Sequence, residues 1–383
     1  MNIVPIQRNL DVILGGEDLE HLYAFKQFPV FMGTVSHEAS KDIFFDMVWH
    51  ISRNSGAIQL SRLLPIDILY PEAHGSGCIG NLWMEHHVAF ADFIANYAPT
   101  SVLEIGGAHG ILSKIYHERS QNVDWTIIEP NPIPVEGVKA RIIKGFFDDE
   151  FQIDAAVDAV VHSHVFEHVY DPQAFVQHIS TFLSKGKYLI FSLPNMEEML
   201  RRKYTNCINF EHTVFLTEPY VEYLMRQHGF KILERQYFLD DHSIFYACVR
   251  DVYIEQTSLP CGLYEKNKQL YLDYVSFHEE LVSDLNARIK KLGPRRKLYL
   301  FGAHIFAQYL IAFGLDTTQI DCILDNDPMK QGKRLYGTDL EVASPRILAN
   351  IKSPVVILKA GVYNQEIMRD ILENINLNTT FYQ

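Results

Sequence analysis

Cysteine is scarce in this 383-residue chain: there are five, at Cys78, Cys207, Cys248, Cys261 and Cys322, and none forms a C-x-x-C pair. That spacing excludes a disulfide framework and a thiolate zinc knuckle, and it suits reduced thiols in a cytoplasm. Positive charge is also short, with 34 Lys and Arg against 47 Asp and Glu and a net charge of -13. Binding a phosphate backbone needs clustered cations, so no nucleic-acid partner is expected. The short run Lys290-Lys291, Arg295-Arg296-Lys297 reads as a solvated linker. No stretch reaches the roughly 18 apolar residues of a membrane span, and Met1 to Pro5 has no basic segment before an apolar core. A soluble, cytoplasmic protein with no membrane partner, monomeric or homodimeric, is expected.

What is present is ordinary globular usage, 48% hydrophobic and 21% charged, in a chain long enough for two or three domains. Residues 1–80 mix short apolar runs with turn signals at Gly15-Gly16, Asn54-Ser55-Gly56 and Gly75-Ser76-Gly77, as in a small irregular domain. Helical spacing runs from Trp83 to Tyr97. Apolar runs at Ser101–Ile105, Trp125–Ile128, Ala159–His162 and Tyr188–Ser192 then alternate with helical segments, which predicts a parallel sheet covered on both faces. Lys231–Tyr237 and Ser243–Val249 read as a hairpin at its edge, closing a domain over 81–255. A long helix over about 262–291 leads to a second α/β pattern within 256–383. There Lys297–Phe301 is a strand, Gly302-Ala303-His304 a turn and Ile305–Phe313 a helix, followed by strands Ile320–Leu324 and Val355–Leu358, a half-Rossmann arrangement.

The first strand ends in Glu104 and is followed by Gly106-Gly107-Ala108-His109-Gly110 and a helix start. Small residues there let a ligand approach the backbone, and the helix start offers free N–H groups. There is no Lys-Ser or Lys-Thr pair for a triphosphate, and the spacing is not G-x-G-x-x-G. Glu129 closes the next strand before Pro130, where a carboxylate can accept both hydroxyl protons of a ribose. Gly145-Phe146-Phe147-Asp148 offers an aromatic face to an adenine ring, or else two core phenylalanines. The strand from Asp158 delivers His162, His164 and His168 to the ligand edge of the sheet.

In these places, over residues about 83–250, the chain resembles class I methyltransferases. The resemblance implies an α/β Rossmann-like domain and S-adenosylmethionine as cofactor, held by Glu104, Gly106, Gly107, Ala108, Gly110, Glu129, Pro130, Phe146, Phe147 and His164. Further on, Ile208-Asn209-Phe210-Glu211-His212-Thr213-Val214-Phe215 looks like the I-Y-H-E-H-x-x-x-F stretch of nucleotide-sugar C-methyltransferases, and Val165–Val169 resembles their V-L-A-H-V run. Residues 297–364 resemble that family's C-terminal domain through Phe301-Gly302-Ala303, Ile323–Pro328, Gln331-Gly332-Lys333 and Gly337-Thr338.

That chemistry removes a proton beside a ketone so that carbon can attack a sulfonium methyl, and it wants a base in histidine's pKa range. The resemblance makes His212 the base, Glu211 its orienting partner or a plain salt-bridge residue, and His168 a hydrogen-bond donor to the developing oxyanion. Tyr70, in Tyr70-Pro71, resembles the family's Y-P-Y segment and would bind or protonate the sugar. His74, Asn195 and Asn209 are further candidates for substrate contact. The Gly302-Ala303-His304 turn would hold the pyrophosphate of a nucleotide-linked sugar through backbone N–H groups, or merely pack.

The sequence also departs from the family. Its zinc ribbon is represented by Ser52-Arg53-Asn54-Ser55-Gly56, with serines in both cysteine places, and no four-ligand Cys and His set exists in residues 1–80. A metal-free descendant of that domain is expected. Asn209, Phe210 and Glu72 stand where the family has other polar or aromatic groups. O-methylation of a sugar hydroxyl, or a cofactor-binding scaffold without turnover, therefore stays open, while an NAD enzyme is disfavoured by the missing G-x-G-x-x-G.

Overall fold

A computed structural model describes residues 4–70, 81–154, 156–251, 253–293 and 296–383. Its main sheet has seven strands: β1 (Ser101–Ile105), β2 (Asp124–Glu129), β3 (Arg141–Lys144), β4 (Ala159–Ser163), β5 (Tyr188–Pro194), β6 (Phe230–Phe238) and β7 (Ser243–Arg250). They lie in the order β3-β2-β1-β4-β5-β7-β6, parallel except that β7 runs against β5 and pairs antiparallel with β6. The order reverses between β1 and β4, which opens a crevice beyond their C-terminal ends. Central strands read as continuous apolar runs because both faces are covered. Leu103, Val160, Leu189 and Phe191 pack on one side with Val176 and Ile179 of helix α3 (Pro172–Phe182). Val102, Ala159, Val161 and Ile190 pack on the other with Phe90 and Ile94 of α1 (Asn81–Ala95) and Leu112 of α2 (Ile111–Arg119). The expected α/β Rossmann-like arrangement, a mostly parallel sheet covered on both faces, is the observed one.

A second, five-stranded parallel sheet contains β8 (Leu298–Phe301), β9 (Ile320–Leu324), β10 (Val342–Ala343), β11 (Val355–Leu358) and β12 (Thr380–Tyr382) in the order β10-β9-β8-β11-β12. Helix α4 (Glu218–Gln227) belongs with the first sheet, and α6 (Ile305–Ala312) follows β8. The chain divides within the 28-residue α5 (Leu263–Lys290), after Asn267. Among the described residues no helix is long and apolar enough to cross a membrane.

The expected separate domain over 1–80 is not what forms. One compact unit takes 1–20, 50–199 and 211–267, and the other takes 21–49, 200–210 and 268–383. Long-range pairing is the cause. Thr34–Val35 forms a ladder with Arg334–Leu335, and the Arg334 guanidinium holds Asp42 through two 2.7 Å bonds. In the first unit, Leu60 donates to the Thr213 carbonyl and Phe215 to that of Ile58, both at 2.9 Å.

The Ser52–Gly56 stretch forms a hydrogen-bonded turn. Ser52 Oγ donates to Asp18 (2.7 Å) and accepts from the N–H of Ser55 (2.9 Å), while Ser55 Oγ accepts from the N–H of Ala57. Burial alone would raise the Asp18 carboxyl, but donors from Ser52, Asn54 and Arg53 bring it below its ordinary value.

Candidate active site

The turn between β1 and α2 is built for close approach. Gly106 has φ +71°, and a Cβ there would sit 2.6 Å from Val165 Cγ2, so alanine is both strained and crowded. Ala108, with φ +40°, donates its N–H to Glu129 Oε2 at 3.2 Å. Glu129 Oε1 accepts from the N–H of Asn131 at 3.0 Å. Both bonds come from backbone, which leaves lone pairs on a half-buried carboxylate with no cation beside it among the described residues. These features fit the ribose of S-adenosylmethionine.

The other expected cofactor residues divide. Glu104 is buried beneath the turn, accepts from Trp125 Nε1 at 2.7 Å and supports Gly107 from below. Burial pushes its carboxyl up to about 7, against the Trp125 bond and with the Glu129 charge adding. Pro130 follows Glu129 at the strand end. Phe147 packs among Phe151, Phe175, His178 and Phe182, which is the core alternative, whereas Phe146 is 48% exposed. His164 sits at φ +52°, in a region non-glycine residues seldom adopt. Its Nδ1 lies 3.3 Å from Glu167 and its Nε2 2.8 Å from Ser243 Oγ.

All four expected catalytic residues meet in the same unit. Tyr70 Oη and His168 Nδ1 are 3.0 Å apart, Glu211 Oε2 is 3.7 Å from the same nitrogen, and the His168 and His212 rings are 5.2 Å between centroids. Burial, and then the Glu211 charge, push the Tyr70 hydroxyl well above its ordinary value, so it keeps its proton. The 3₁₀ turn Phe166–His168 presents His168. Backbone bonds fix His212 opposite: Thr213 donates its N–H to the Glu167 carbonyl (2.9 Å), and Arg8 donates to the Thr213 carbonyl (2.8 Å).

Sequence reasoning missed Glu167. It is fully buried, its side-chain oxygens have no hydrogen-bond donor among the described residues, and Oε1 lies 3.6 Å from His168 Nε2 as well as near His164. Its position between two motif histidines was the available signal. Asn131 was missed too, and its amide donates to the Tyr70 carbonyl at 2.9 Å.

The expected substrate residues are not gathered in the same way. Asn195 spends its amide on the Asp240 carbonyl (2.8 Å). Asn209 belongs to the other unit and is buried. His74 lies outside the described residues. In the Gly302-Ala303-His304 turn all three N–H groups are taken, by the Leu324 carbonyl, Asp325 Oδ2 (2.8 Å) and the Gly302 carbonyl, so they offer no cradle for a pyrophosphate. The pyrophosphate reading of that turn is corrected accordingly; a carboxylate already fills the position.

Residues 83–235 match a family model described as a methyltransferase domain, and residues 264–382 match the C-methyltransferase C-terminal domain. No curated protein matches the chain. Among solved structures, it is similar to an O-methyltransferase family protein from Burkholderia thailandensis (11% identity, TM-score 0.35, covering 44% of this chain and 56% of that one). It is also similar to human N-acetylserotonin methyltransferase in complex with SAM (11%, 0.37, 45% and 53%) and to the plantazolicin methyltransferase BpumL in complex with SAH (12%, 0.36, 44% and 84%). The chain thus spans about half the length of two of these relatives. The middle of the chain matches a methyltransferase domain, and a stretch that matches a C-methyltransferase C-terminal domain follows it.

Proposed function

With a methyltransferase domain at residues 83–235 as premise, we propose that this protein methylates a nucleotide-linked sugar at a carbon beside a keto group. The observation that carries the reading is the cluster of Tyr70, His168, Glu211 and His212, which combines a base with donors for an oxyanion. The match of residues 264–382 favours carbon as acceptor, and the Glu211-His212 motif favours a sugar nucleotide.

Bound S-adenosylmethionine supplies an electrophilic methyl group. His212 takes the proton from the acceptor carbon, and the electron pair of that C–H bond makes the new C–C bond, while the pair of the methyl–sulfur bond stays on sulfur in the departing neutral thioether. Glu211, 3.7 Å from His168 Nδ1, adds negative charge beside the paired His168 and His212 rings, which favours the imidazolium. Tyr70, still protonated, and His168 donate to the ketone oxygen as charge develops on it. The Gly106–Gly110 turn and Glu129 hold the cofactor at the end of β1 and β2.

Incubation with 4-keto sugar nucleotides in deuterated water tests this. Solvent deuterium should enter at the methylated carbon. His212→Ala should lower both exchange and methyl transfer by about 10²–10⁴-fold while cofactor affinity is retained. Methylation at oxygen without exchange would refute carbon transfer, and cofactor binding without turnover on any such sugar would favour a scaffold.

A further inference from the structure

Beside the catalytic cluster lies a second group of histidines that methyl transfer does not use. One ring nitrogen from each of His86, His164 and His242 lies within 4.8 Å of the other two. They come from three separate elements, namely α1, the end of β4 and the turn entering β7. His164 Nε2 and His242 Nδ1 both contact Ser243 Oγ, at 2.8 and 2.7 Å, and His86 Nε2 contacts Ser192 Oγ at 3.0 Å. Trp83 stands edge-on to all three rings, with centroids 5.0–5.4 Å away.

Three observations ask for a cation here. A neutral imidazole offers one lone pair, three of them converge here, and the single proton of Ser243 can satisfy only one of the two nitrogens it touches. His86 is fully buried, yet its Nδ1 has no partner among the described residues. Finally, Glu167 is a buried carboxylate 3.3 Å from the far nitrogen of His164, within reach of the outer-sphere role that orients a metal-bound imidazole and raises its basicity. Left-handed backbone at His164 keeps that ring between the carboxylate and the other two histidines.

We propose that His86, His164 and His242 bind one divalent transition-metal ion, Zn²⁺ or a chemically similar ion, with water as the fourth ligand and Glu167 positioning His164. Imidazole is the ligand such ions prefer, and zinc–nitrogen bonds of about 2.0–2.1 Å would draw the three nitrogens inward from their spacing of up to 4.8 Å. The ion ties α1 to the β6–β7 turn and to the residue preceding Val165, which walls Gly106. It is distinct from the lost amino-terminal ribbon metal, whose place the Ser52 turn has closed.

The full-length protein, stripped with a chelator, is titrated with Co²⁺ alone. One equivalent should bind with the visible ligand-field bands of a four-coordinate site. His242→Ala should weaken binding by at least about 100-fold, and Glu167→Gln by about 10–100-fold. His212→Ala should leave it unchanged, which separates this site from Glu167, His168 and His212, whose ligand atoms also lie within 4.8 Å of one another. X-ray absorption of the zinc-loaded wild type, which needs no variant to fold, should show scattering from three imidazoles. Absence of stoichiometric binding, affinity unaffected by His242→Ala, or a shell of two imidazoles and a carboxylate would each overturn the proposal.

Discussion

Two turns in this protein begin alike and end differently. After β1, the N–H of Ala108 reaches Glu129 at the end of β2; after β8, the N–H of Ala303 reaches Asp325 just past β9. In each, the other carboxylate oxygen accepts from the N–H two residues on, Asn131 or Asp327. Asp325 then also takes the Lys330 ammonium at 3.1 Å and is nearly buried, whereas Glu129 has only backbone donors. One strand–turn–helix unit thus leaves a carboxylate for a ligand's hydroxyls, and the other turns it into an internal brace. A shared Rossmann pattern does not imply a shared ligand.

The sharpest way to break this comparison is to remove both carboxylates in turn. Glu129→Ala should cost two charge-assisted bonds to ribose, about 3 kcal/mol or roughly 100-fold in S-adenosylmethionine affinity by calorimetry. Asp325→Ala should leave that affinity unchanged and lower only thermal stability; equal losses of affinity would abolish the distinction. Next come the glycines. Gly106→Ala meets both left-handed backbone and Val165, so a loss of about 2–3 kcal/mol is expected in denaturant titration. Gly302→Ala, at φ +100° but with its nearest neighbour at 3.6 Å, should lose about 1 kcal/mol.

The remaining test concerns acid, and only the second unit. His278 is fully buried against Phe313, and burial, partly opposed by the Tyr274 carbonyl, lowers its pKa to about 4. The unfolded chain binds the proton first, so stability present above about 6.5 falls as pH drops toward 4, at up to about 1.4 kcal/mol per pH unit. His278→Phe should flatten that slope, while a slope that stays the same would assign the acid sensitivity elsewhere.

Strands and the cofactor turn were legible because local pattern encodes them. Continuous apolar runs mark β1, β4 and β5, and glycines mark a backbone that side chains cannot adopt. The gathering of Tyr70, His168, Glu211 and His212 was legible from motif alone, although Tyr70 and His212 lie far apart in the chain. What stayed hidden depends on distant partners. The ladder between Thr34–Val35 and Arg334–Leu335 has no local signature, so the first 80 residues looked like a domain. Phe146 and Phe147 are chemically identical, and only packing separates the partly buried ring from the exposed one. The N–H groups at Gly302–His304 looked available because their acceptors lie more than 20 residues away or within the turn itself.

The Ser52 turn carries a consequence for durability. A ribbon held by cysteine thiolates fails when its sulfur is oxidised or its metal is sequestered. The Ser52–Gly56 bend is closed by two hydroxyls and the Asp18 carboxylate, none of which responds to peroxide. This bend should therefore keep its shape through oxidative stress that would open a turn held by thiolates.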